Sequence, residues 1–133
     1  MSNRSLQIEE LSSALPNEHL WGAFRVRETR GSRLVLVGWV LGIEQEVDSV
    51  QLLAGGTVVA STTPQMPRSD MSEKFPDRPA AATCGFELAL EAKGKGVSVL
   101  AVEAVLEDGT AAPMGEVRAL APSRSWTGVL RRH

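Results

Sequence analysis

The strongest constraint on this chain is a succession of short apolar runs, each closed by a turn signal, with no long helix between them. From Trp21 the side-chain period is two: Phe24 and Val26 alternate with Arg25 and Arg27, the pattern of a half-buried strand. Thr29-Arg30-Gly31-Ser32 turns the chain into Arg33 to Leu41, a strand that is apolar on both faces. Val47 to Ala54 and Thr57 to Ser61 flank Gly55-Gly56, a pair that accepts positive φ and suits a tight hairpin. Gly85 to Leu90 alternates cleanly, with Phe86, Leu88 and Leu90 inward and Glu87 outward. Gly94 to Gly96 makes a turn into Val97 to Leu106, which is again apolar on both faces. Asp108-Gly109 then signals a hairpin into Thr110 to Val117. Strands in this order predict an all-β, immunoglobulin-like antiparallel β-sandwich of about seven strands rather than a parallel α/β sheet. The Cys-Trp-Cys arrangement of antibody domains is absent, so only the architecture is expected.

Composition agrees. The chain has 133 residues, enough for one domain with a continuous core. Val is frequent while Ile is scarce and Tyr is absent, a β-branched bias that favours strands. Outside the strands, Ile8, Leu11 and Leu15 fall on one helical face before Pro16, which predicts a short N-terminal helix. The proline-rich stretch from Thr62 to Thr83 contains Asp70-Met71-Ser72-Glu73. Its spacing is that of a capping box, so one helical turn capped by Asp70 and ending at Phe75-Pro76 is expected there. The expected organisation is an N-terminal arm or short helix over 1–20, the sandwich over 21–118, and a C-terminal arm or linker over 119–133.

Charge and cysteine content narrow the function. A formal net charge of −2 gives no bulk attraction to nucleic acid or to anionic membrane. There is no apolar run of about 18 residues, so no membrane span is expected. The segment Met1 to Glu10 lacks the order of a secretory signal, and the expected location is cytoplasmic. Cys84 is the lone cysteine, which rules out an intrachain disulfide and argues against a structural zinc site.

Catalytic groupings are sparse. A Ser-His-Asp or Cys-His hydrolase needs a histidine base, and only His19 and His133 are on offer. Cys84 precedes an inward-reading strand, where it reads as a small buried residue. Glu44-x-Glu46-x-Asp48 reads as a solvated strand edge rather than a calcium site. Gly94-Lys95-Gly96 is too short for a phosphate loop. No cofactor, metal or catalytic residue is expected, and the chain is not expected to be an enzyme on its own. Among the tryptophans, Trp39 reads as core. Trp21 opens a strand beside polar neighbours, and Trp126 lies in the tail among Ser and Arg. Either of these two stacks on a sugar ring or partner surface, or seals the edge of the sandwich.

The ordered set Trp21-Gly22-Ala23, Gly38-Trp39-Val40-Leu41, Val58-Val59-Ala60, Pro67-Arg68-Ser69-Asp70-Met71 with Phe75-Pro76, and Gly85-Phe86-Glu87-Leu88 resembles a known family. It is similar to the immunoglobulin-like β-sandwich modules appended to bacterial glycosyltransferases and related cell-surface polysaccharide enzymes. The resemblance spans Trp21 to Val117 and departs from the family at Ser69, where a proline is usual. It implies a non-catalytic accessory module that binds carbohydrate or positions a glycan-processing partner. Under that implication Trp39 and Phe86 are core, Asp70 a cap, and Arg68 an ion-pair partner beneath the loop. The carbohydrate-binding candidates are therefore Trp21, Trp126 and Arg68, the last as a hydrogen-bond donor. The alternative is a protein-interaction or self-assembly module without sugar affinity.

Strands that are apolar on both faces carry one more expectation. The second faces of Arg33 to Leu41 and Val97 to Leu106 need a cover, since soluble monomers rarely expose large apolar patches. The expected covers are the Ile8–Leu11–Leu15 helix, the Trp126–Val129–Leu130 tail, or a protein partner or second copy on the outer sheet face.

Overall fold

Among the described residues, eight antiparallel strands form two sheets around one shared core. The computed structural model describes residues 6–31, 33–91 and 96–121. The strands are β1 (Gln7–Ser13), β2 (Leu20–Arg30), β3 (Arg33–Gly42), β4 (Val47–Ala54), β5 (Thr57–Thr62), β6 (Gly85–Glu91), β7 (Gly96–Leu106) and β8 (Ala111–Ala121). One sheet has the order β1-β8-β7-β4-β5 and the other β2-β3-β6. All seven strands read from the sequence are present. Among the described residues the helical elements are the turn α1 (Ser69–Lys74) and a 3₁₀ segment (Pro79–Thr83), both between β5 and β6. No described helix is long and apolar enough to cross a membrane.

The core follows from side-chain alternation. Leu34, Leu36 and Val40 of β3 point inward with Phe86 and Leu88 of β6. They meet Val50 and Leu52 of β4, Leu100 and Val102 of β7, and Met114 and Val117 of β8 in one cluster. No described polar side chain is buried, so among side chains nothing inside requires a compensating hydrogen bond. The turns match their chemistry: Gly55 and Gly56 have φ of 58° and 83° in the β4–β5 hairpin, and Gly109 has φ of 90° before β8. The crossing from β1 to β2 is held by Asn17. Its carboxamide oxygen accepts the His19 and Leu20 N–H groups, and its nitrogen donates to Ala14 and Pro113 carbonyls.

The expected N-terminal helix is instead strand β1, hydrogen-bonded to β8. The reason is a bulge. The register steps from Ile8 opposite Ala119 to Glu10 opposite Arg118, so Glu9 is an extra residue. An inserted residue puts positions three apart on the same face of a strand. Ile8 and Leu11 thus pack on the core together at a spacing that also suits a helix.

The expected cap also differs. The first residue before α1 is Arg68, and no side chain caps the turn. Asp70 lies inside α1, and its carboxylate accepts two hydrogen bonds from the Arg68 guanidinium at 3.0 and 2.8 Å. That pairing holds the Asp70 carboxyl below its ordinary range. The helical turn forms as expected, ending at Phe75, whose N–H donates to the Met71 carbonyl at 2.8 Å.

Part of the outer face of β3 is covered by a segment that was not among the expected covers. Leu41, Ala81 and Cys84 form a second cluster, joined by Trp21, Trp39, Met71 and Phe75. The segment between β5 and β6 therefore lies on one end of the outer face of the three-stranded sheet. Ile8, Leu11 and Leu15 pack on the main core instead. The tail residues Trp126, Val129 and Leu130 lie outside the described residues.

Candidate functional site

The cover stops short of the whole outer face, and a groove of about 550 Å³ remains beside it. Its floor follows from the strand register. Successive rows across β2, β3 and β6 read Ala23–Trp39–Gly85 and Arg25–Val37–Glu87. Trp39 is thus flanked on both sides by the smallest residues of its row, and its indole borders open space. The edge of the groove is built by Met66, Pro67 and Arg68, which run alongside Gly85 through paired backbone hydrogen bonds of Met66. A Cβ on Gly85 would lie 3.0 Å from both the Arg68 Cγ and the Met66 carbonyl oxygen, so glycine is what lets this segment sit so close.

Trp39 is the correction to the core assignment. It belongs to the odd-numbered face of β3 and is only partly buried. Its contact with Phe75 is tilted by 47° at a ring separation of 6.0 Å. The residue that sequence reasoning placed in the core is thus the aromatic side chain on the groove. The signal is legible in the sequence: Val37, Trp39 and Leu41 alternate with Leu36 and Val40 and form a second apolar face of the strand. What was missing was the knowledge that Ala23 and Gly85 stand beside the indole.

The sequence candidates fall in three different places. Trp21 is half-buried under the cover, stacked on Phe75 at 5.1 Å with 20° between the rings. The Arg78 guanidinium lies 5.0 Å over the same indole and also donates to the Gly42 carbonyl at 2.8 Å. The π faces of Trp21 are engaged within the protein. Arg68 lines the groove, its fork already shared with Asp70. Trp126 lies outside the described residues.

The charged rim is formed by Arg25, Arg27, Arg68 and Glu87. Arg27 reaches across β3 from one edge strand to the other and pairs with Glu87 at 2.8 Å. Arg25 is exposed and has no hydrogen-bond or ion-pair partner among the described residues. The groove therefore combines an apolar aromatic floor with planar guanidinium donors. That is a binding chemistry suited to a polar molecule with one flat apolar face.

A second cleft, of about 590 Å³, lies at the other side of the cover between Glu44, Glu46, Glu107 and Arg78. Glu44, Glu46 and Asp48 are all exposed, and no described group of three or more acidic, His or Cys side chains could hold a metal ion. Cys84 is buried with Leu41 and Ala81, and burial pushes its thiol up and away from the reactive thiolate. His19 is exposed beside Glu18.

No protein-family model, curated protein or solved structure matches this chain.

Proposed function

We propose that the chain is a non-catalytic accessory module of the immunoglobulin-like β-sandwich class, binding carbohydrate in the groove over Trp39 or holding a glycan-processing partner there. The observation that carries this reading is the row Ala23–Trp39–Gly85, which leaves an indole accessible beside guanidinium groups. A sugar ring presents C–H groups on one face and hydroxyls around its edge. It matches an aromatic floor with donors at the rim. The connectivity supports the class: hairpins β2–β3, β4–β5 and β7–β8 are joined by segments that cross between a three-stranded and a five-stranded sheet. The non-catalytic part rests on chemistry. The groove offers a paired carboxylate and guanidinium groups, and the described thiol is buried in its neutral form.

The test is titration of the full chain with an array of oligosaccharides, read by tryptophan fluorescence and calorimetry. Binding that Trp39→Ala abolishes supports the reading. An array with no binder sinks it and favours the second reading, a protein-interaction module. That alternative has its own support: edge strand β5 exposes Val58 and Val59, 48% and 40% accessible, on a segment without charge.

A further inference from the structure

Resting on the carbohydrate reading, we propose that the groove selects an acidic saccharide, with its ring on Trp39 and its anionic group on Arg25. Three guanidinium groups and one carboxylate line the groove. They are not equally committed. Arg27 is held by Glu87 at 2.8 Å, and the Arg68 fork by Asp70 at 3.0 and 2.8 Å. Arg25 and Glu87 occupy the two ends of one row, both paired to Val37, so about two strand spacings separate their backbones. The bulge that makes Arg27 an extra residue in β2 sends Arg27, rather than Arg25, to Glu87. Among the described residues, Arg25 is thereby left as a cation without a paired counter-charge at the margin of an apolar floor.

Two consequences follow for a ligand. The indole takes the C–H face of a ring, and an anionic group reaching diagonally from the Trp39 row to the Val37 row, about 7–8 Å along the sheet, meets a guanidinium that offers two parallel N–H donors. Arg68 keeps further N–H donors beyond the two shared with Asp70, enough to bond a ring hydroxyl. A neutral sugar uses the floor and Arg68 but leaves Arg25 unmatched. The shared ligand chemistry is an anionic oxygen group on a sugar ring, whether carboxylate, sulfate ester or phosphate ester.

The experiment uses the full-length chain and paired probes: oligogalacturonate with its methyl ester, a sulfated disaccharide with its desulfated form, and a hexose phosphate with the free hexose. Calorimetry at low and high salt reads each pair, and the pairs separate the three anion sources. At least one anionic probe should bind about tenfold or more tighter than its neutral partner, the scale of a charge-assisted hydrogen-bond pair. High salt or Arg25→Gln should erase that difference, Arg25→Lys should keep part of it, and Trp39→Ala should remove binding of both members. Arg25 is exposed, so circular dichroism of Arg25→Gln should match the parent. Equal affinity within every pair, or a preference that Arg25→Gln leaves intact, overturns acidic selectivity while sugar binding stands. Silence from all probes, neutral ones included, removes the carbohydrate reading together with this one.

Discussion

Phe75 holds the cover to the sheet, and its removal tests how the outer face of β3 is sealed. The ring contacts Trp21 at 5.1 Å and Trp39 at 6.0 Å and ends α1 above them. A fully buried Phe→Ala change costs about 3–5 kcal/mol. Phe75 is only partly buried, so roughly half of that applies, about 2 kcal/mol. Two aromatic pairs add about 0.5–1.5 kcal/mol each. The expected loss for Phe75→Ala is therefore about 3–5 kcal/mol, or a fall in Tm of roughly 10–20 °C for a domain of this size. Chemical denaturation followed by circular dichroism should show a lower midpoint at unchanged slope. Native emission should also shift to the red, because two indoles lose their apolar cover. Phe75→Leu, which keeps most of the volume, should lose about half as much. A loss under about 1 kcal/mol with no spectral shift would refute the reasoning, since the cover would then be held by something other than this stack.

Two further perturbations probe the frame. Gly115 in β8 has φ of 150°, and a Cβ there would lie 2.2 Å from the Ser12 carbonyl oxygen and 2.8 Å from the Phe24 ring. Gly115→Ala should cost on the order of 3 kcal/mol or more, or prevent soluble folding, whereas Gly55→Asn in an open turn should be nearly neutral; a stable Gly115→Ala protein would contradict the observed register. Asp108 accepts hydrogen bonds from Thr110 and Gln45, which hold its carboxyl below the ordinary 3.8. A depressed carboxyl stabilises the fold above its unfolded pKa, and that contribution is lost as pH falls through the lower folded value. Asp108→Asn should therefore flatten the decline of stability below about pH 4, and parallel acid limbs for parent and variant would dismiss the role.

Much of the fold was legible because several strands alternate cleanly and turn signals separate them. Phe24 and Val26, or Phe86 and Leu88, announce their inward face without help from elsewhere. The failures came where a local irregularity changed the period or where distant residues decided burial. At Glu9 one extra residue turned a strand into a helix-like pattern. At Asp70 the spacing suited a cap, but Asp70 lies inside α1 and its carboxylate is shared with the Arg68 guanidinium, a charged partner that spacing alone does not reveal. The apolar second face of β3 was visible, yet its cover lay in the stretch from Thr62 to Thr83, whose prolines carry no periodic signal. Of the candidate site, Arg68 was identified and lines the groove. Trp39 was read as core, although it is only partly buried, because its exposure depends on Ala23 and Gly85 from two other strands. One-dimensional patterning cannot display a cross-strand row.

The pairing of β1 with β8 has a mechanical consequence. The two strands run antiparallel with Gln7 opposite Leu120, so the outer ends of both lie at the same end of the sheet. A pulling force applied through those ends loads the ladder one bond at a time, like a zipper, instead of straining all its bonds together in shear. Under tension β1 should peel away first and at low force. The Asn17 bonds to Ala14 and Pro113 would be the first anchor to resist. The hairpins β2–β3, β4–β5 and β7–β8, each closed by its own turn, would still be intact at that point.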